Sequence, residues 1–320
     1  MPTLRRRTLL CGALASALPC AWAQGYPDRT IRLVVPFAAG GGFDAIVRPF
    51  AEKLSAVLGQ AVIVDNRPGA GGAIGTDFVT RAVPDGYTLL FANSSIVTQP
   101  LLQKKTTYDP ATDLVAVSRV GAVSTGLAVN PKLPANNLAE LIELSKRRPL
   151  NFGTPGTGTA PHLVGELLNL NGTMRLVHVP YKGTGPAMAD AVSGQIDMVM
   201  APVSATAQLV RSGKLRGIAV LSPARSSLMP ELPTFLESGL PDVQGETWYG
   251  VFAPARVPAA VIRRLNEAAG QVLAQPEFMV ALRKAGYEPQ FSTSAALAET
   301  VRADQQRWAR VVREAKLQIE

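Results

Sequence analysis

The residues of this 320-residue chain that can do chemistry are few: two histidines, two cysteines and a set of glycine-rich loops. His162-Leu163-Val164-Gly165-Glu166 sets an imidazole and a carboxylate four residues apart, on one face of a helix. Two such groups without a third are a surface pair rather than a metal site. His162 can also hydrogen-bond a ligand from the start of its helix, and His178, within an apolar run, reads as structural. Asp44, Asp197 and Glu246 stand near strand ends as caps or hinge contacts rather than catalytic acids. No G-x-S-x-G elbow, P-loop or S-x-x-K motif is present. The remaining chemistry is anion binding by backbone. Gly40-Gly41-Gly42-Phe43-Asp44 follows an apolar run and precedes a helical period, so its N–H groups and the positive helix end can cradle a carboxylate or phosphate. A plain βα turn has the same pattern, and both readings stand. Gly156-Thr157-Gly158 and Gly183-Thr184-Gly185 repeat the arrangement further along.

The elements that must position these loops follow from periodicity. Ile31–Phe37 reads as a buried parallel strand and Asp44–Leu58 as its helix, capped by Asp44, with Ile46, Phe50, Leu54 and Val57 on one face. Pro49 is expected to kink this helix or to shift its regular start towards Arg48. Ala61–Val64, Tyr87–Ala92, Leu150–Gly153, Arg175–Val179, Ile196–Met200, Leu215–Leu221 and Thr247–Phe252 are further strands. Helices are expected over Thr76–Ala82, Leu138–Arg148 (capped by Asn137), from Pro161, over Val203–Ser212, and near 258–273, 276–285 and 295–316. Gly69, Gly71 and Gly75 are out of register for a dinucleotide fingerprint and suit a loop packed against a helix. Asn93-Ser94-Ser95 puts small polar groups at the end of a strand, where open α/β sheets hold ligands.

The first residues stand apart. Arg5-Arg6-Arg7, an apolar run from Leu9 to Leu18 and Ala21-Trp22-Ala23 form a secretory signal cleaved after Ala23, for either the general or the twin-arginine export route. Cys11 and Cys20 both fall inside it, which leaves a mature chain with no disulfide or thiolate chemistry. Loss of three arginines lowers the formal charge from +8 to +5, a mild bias towards anions with none of the basic runs of a nucleic-acid binder. The expected architecture is α/β, with two doubly wound Rossmann-like domains joined by two strands. One domain comprises 24–122 and 246–320; the other is 123–245, inserted between them. Two connections make a hinge.

Val35-Pro36-Phe37-Ala38-Ala39-Gly40-Gly41-Gly42-Phe43-Asp44, Asp65-Asn66-Arg67-Pro68-Gly69-Ala70-Gly71-Gly72, Pro84-Asp85-Gly86-Tyr87-Thr88-Leu89, Val179-Pro180-Tyr181-Lys182-Gly183 and Ser212-Gly213-Lys214-Leu215-Arg216 resemble, in order, the Bug-type receptors of tripartite tricarboxylate transporters. The resemblance implies a periplasmic binding protein of type II-like architecture that closes on a small carboxylate and passes it to membrane transporter subunits. It implies no cofactor, metal or catalytic residue. Carried over residue by residue, it points to Phe37, Ala38, Gly42, Phe43, Asp44, Asn93 and Ser94 on one side of a cleft. On the other side it points to Thr154, Gly158, Thr159, His162 and Thr184. Phe43 replaces a small polar residue usual in the family, and Pro49 a helix former. A monomer is expected. The competing readings are an exported enzyme using Asp44 or His162 as acid or base, and a ligand sensor signalling to a membrane protein.

Overall fold

Short apolar runs bounded by glycine and proline turns form strands, and the amphipathic runs between them cover the strands as helices. The computed structural model describes residues 25–40, 42–103 and 107–317, so the signal, its cleavage point, both cysteines and Gly41 lie outside the described residues. The chain opens with β1 (Ile31–Val35), α1 (Gly42–Leu58), β2 (Val62–Asn66), α2 (Ala73–Thr80), β3 (Thr88–Asn93) and α3 (Ser95–Leu102). β4 (Leu114–Val123) leads straight into β5 (Thr125–Val129), followed by α4 (Leu138–Arg147), β6 (Leu150–Thr154), α5 (Ala160–Leu170), β7 (Leu176–Pro180) and α6 (Thr184–Ser193). Then come β8 (Met198–Pro202), α7 (Val203–Arg211) and β9 (Arg216–Val220). β10 (Thr247–Pro254), α8 (Ala259–Leu273), α9 (Pro276–Lys284), β11 (Glu288–Pro289) and α10 (Ser294–Glu314) complete it.

Two mixed sheets result, ordered β11-β4-β10-β3-β1-β2 and β7-β6-β8-β5-β9. They share one plan. β1 lies between β2 and β3, both parallel to it, and antiparallel β10 follows β3. β6 likewise lies between β7 and β8, both parallel to it, and antiparallel β5 follows β8. In each sheet the chain goes from the central strand to one side and returns on the other, leaving a crevice at the strand ends where winding reverses. The chain passes between the sheets at Ser124 and again at Gly245–Glu246, and these passages run side by side: Val123 pairs with Thr247, while Leu221 N–H donates to Thr125 O and Gly245 N–H to Leu221 O.

Phe50, Phe91 and Phe278 fill the core between the first sheet and α1, α8 and α9. A second core runs from Leu90 and Trp248, through Leu297 and Trp308 of α10, to Leu163 of α5 and Phe152 of the second sheet. α2 approaches the first sheet closely at Gly75, where a methyl group would stand 2.8 Å from Arg67 O and from Pro36 Cα, the helix packing expected of that glycine loop.

Two local expectations are corrected. α1 begins at Gly42, which makes Asp44 its third residue and not its cap, and the helix runs through Pro49. The carbonyl that Pro49 leaves without a donor belongs to Ala45, which is exposed and open to water. α3 follows directly on Asn93–Ser94, and Asn93 supports its first turn. Buried Ser118 interrupts the apolar pattern of β4, its hydroxyl lying 2.8 Å from Arg119 O and 3.1 Å from Ser292 O.

Candidate functional site

In the first sheet, the ends of β1 and β3 carry Phe37 to Asp44 and Asn93–Ser94 to the same edge. The opening N–H groups of α1, those of Gly42, Phe43 and Asp44, precede any carbonyl that the helix offers them. Asp44 shapes their approach: its Oδ2 accepts Gly40 N–H at 2.6 Å and faces Arg48 Nε at 3.1 Å. The Gly40 hydrogen bond, with Arg48 adding, holds the Asp44 carboxyl below the usual carboxylate range. Its Oδ1 is buried and takes no hydrogen bond from the described residues. Ala38 is exposed. The Phe43 ring is buried, stacked on Phe37 at 4.4 Å and edge-on to Tyr249 at 5.1 Å. Its side chain thus belongs to the core, and only its backbone is placed to meet a ligand.

Asn93 Oδ1 accepts both the N–H and the hydroxyl of Ser95, at 3.0 and 2.6 Å, which fixes the start of α3. Ser94 is buried and donates its N–H to Trp248 O at 3.0 Å. Tyr249 lies beside them with its hydroxyl pKa raised, chiefly by burial. Trp248 and Tyr249 are both buried.

In the second sheet, Thr154, Gly158 and Thr159 form the turn from β6 into α5. Gly158 takes a left-handed φ of +77°, which favours glycine. Thr159 hydroxyl donates to Gly156 O at 2.7 Å, and Pro161 sits in the first turn of α5. Tyr181 N–H donates to Thr154 O and Gly183 N–H to Pro155 O, which laces the β7–α6 turn, with Thr184 opening α6, onto the first turn.

His162 is buried: its Nδ1 accepts Gly158 N–H at 3.0 Å, and its Nε2 faces Glu166 Oε1 at 3.6 Å. His178 stacks on it at 3.8 Å and places Nε2 2.7 Å from Thr154 Oγ1. Sequence spacing gave no sign of this pairing, because the rings come from α5 and β7. Burial, with His162 adding, pushes His178 down to about 4 from an ordinary 6.5, while Glu166 opposes. The unfolded chain therefore binds a proton between those values that the folded chain refuses, and stability falls as pH drops from 6.5 towards 4. Partial screening leaves an expected loss of about 2 kcal/mol in urea unfolding, absent in His178→Asn.

A cavity of about 400 Å³ opens elsewhere, at the passage between the sheets, lined in part by Arg119, Glu246, Trp248, Asp304 and Arg307. Arg119 pairs with Glu246 and Arg307 with Asp304. None of the residues expected to bind ligand lines this cavity. Asp197 is held in a bidentate pair by Arg148 at 2.6 and 3.0 Å, a structural role.

Two mixed sheets with matching crevices and a double passage between them define a solute-binding protein of the periplasmic type. The chain belongs to the TctC family, the tripartite tricarboxylate transporter family receptors, whose model matches residues 46–317. BugT of Bordetella pertussis is 38 % identical over 296 residues, covering 91 % of each chain. Among solved structures, a Rhodopseudomonas palustris protein with adipate shares 32 % identity at a TM-score of 0.75, covering 92 % of this chain and 99 % of that one. MatC from Rhodopseudomonas palustris, solved with bound malate, shares 30 % identity at a TM-score of 0.70, covering 90 % of this chain and all of MatC.

Proposed function

We propose that this chain is a periplasmic receptor, exported with loss of residues 1–23, that closes around a small carboxylate and delivers it to the membrane subunits of a tripartite tricarboxylate-type transporter. The observation that carries the reading is the duplicated crevice: each sheet ends in a glycine-bearing turn leading into the start of a helix, α1 in one and α5 in the other. Residues 24–122 with 246–320 and residues 123–245 act as two lobes hinged at Ser124 and Gly245–Glu246. Backbone groups of Phe37, Ala38, Gly42, Phe43 and Asp44 and polar groups at Asn93 and Ser94 meet the ligand from one lobe. Thr154, Gly158, Thr159 and Thr184 meet it from the other. The relatives solved with malate and adipate support a dicarboxylate of four to six carbons.

The receptor acts as a monomer and does no chemistry of its own; ligand contacts made only on closure set the open–closed balance. Calorimetric titration with malate, adipate, citrate, glutamate and benzoate tests this, with the ligand recovered and analysed afterwards. Micromolar binding of at least one acid, returned unchanged, is the expected result. Conversion of any of them by the purified protein contradicts it.

A further inference from the structure

His162 and His178 form a stacked pair directly behind the β6–α5 turn, and each ring holds a different point of it. His178 Nε2 lies 2.7 Å from Thr154 Oγ1, and His162 Nδ1 accepts the Gly158 N–H at 3.0 Å. An accepting Nδ1 puts the proton of the neutral His162 ring on Nε2, which faces Glu166 Oε1 at 3.6 Å. Asn169 Nδ2 donates to Glu166 Oε2 at 3.4 Å from one turn further along α5. The titratable groups facing the pair are therefore each ring for the other and Glu166, while Phe152 from β6 lies against His178 at 5.0 Å. The opposite tautomer of His162 sets two N–H donors against each other at Gly158, and so does the protonated ring. The Gly158 hydrogen bond is kept only while the His162 proton sits on Nε2.

We propose that Glu166 and His178 are positioning residues of the ligand site: Glu166 selects the Nε2–H tautomer of His162, and the stacked pair thereby holds Thr154 to Gly158 in the conformation that meets the ligand. The proposal rests on the receptor reading for its ligand, while its mechanism is visible without any ligand. Uniformly ¹⁵N-labelled wild type, Glu166→Gln and His178→Phe test it at pH 7.5. His178→Phe keeps an aromatic stack but loses the Thr154 bond. Long-range ¹H–¹⁵N spectra read the His162 tautomer, amide exchange reads Gly158, and calorimetry with malate and adipate reads affinity.

Wild type is expected to show the Nε2–H tautomer and a protected Gly158 amide. Glu166→Gln should populate the Nδ1–H form, speed Gly158 exchange about tenfold and weaken binding about tenfold. His178→Phe should weaken binding with the tautomer unchanged. An unaltered tautomer and Gly158 exchange in Glu166→Gln overturns the proposal, as does an altered tautomer with unaltered affinity. Should wild type bind neither acid, the carboxylate reading is what fails, and the tautomer and exchange results decide the positioning mechanism alone.

Discussion

Asp304→Ala is expected to lower the unfolding free energy by about 4 kcal/mol, seen as a fall of roughly 10 °C in melting temperature. Asp304 projects from α10 with its side chain only 13 % exposed and accepts two hydrogen bonds, from Trp248 Nε1–H and from Arg307 Nη2, both at 2.8 Å. Trp248 is itself buried, and Arg307 Nε already takes no partner among the described residues. Removing the carboxylate strands the buried indole N–H and takes the counter-charge from the half-buried Arg307, and the cost of a buried donor without an acceptor exceeds that of a lost surface pair several-fold. Asp304→Asn keeps an acceptor for Trp248 and should show about half the effect. Because Trp248 lies at the start of β10, directly after the second passage between the sheets, this joint ties α10 to that passage. A loss below 1 kcal/mol for the alanine variant would remove Asp304 from that role.

Gly165→Ala tests the packing behind the histidine pair. On propensity alone an alanine within α5 stabilises the helix by about 1 kcal/mol. The added Cβ, however, stands 2.2 Å from Cζ and 2.4 Å from Cε2 of Phe152, a ring with no exposed surface. Over-packing outweighs propensity, and a net destabilisation of about 2 kcal/mol is expected in denaturant titration. Phe152→Leu in the same chain should recover most of it by vacating the contact. A stabilised single variant shows that the helix–sheet spacing at this point is wrong.

The strands and helices that carry a clean period were legible: Leu138–Arg147 with Asn137 accepting Glu140 N–H, α5 with Pro161 in its first turn, and the three helices after β10. Helix starts governed by tertiary contacts were not. Asp44 has the chemistry of a cap, yet it reaches back to Gly40 from the third position of α1, and Pro49 is tolerated because its orphaned carbonyl lies at the surface. The placing of β10 and β5 antiparallel to their neighbours depends on register between distant segments, which local pattern does not encode. The family was legible from ordered motifs, and the match over residues 46–317 shows it. At the candidate site, glycine and hydroxyl positions were visible in the chain. The side chains that set their geometry were hidden, because Glu166, His162 and His178 meet only when α5 packs on β7.

The central claim is that one ligand carboxylate is held from both sheets at once. A crystal structure of the mature protein with malate or adipate tests it most directly. The expected result is a carboxylate between the Ala38–Asp44 segment and the Thr154–Thr159 turn, with hydrogen bonds to N–H groups on both sides and Gly158 still donating to His162. A carboxylate held by one sheet alone, or seated in the cavity beside Arg119 and Arg307, contradicts it.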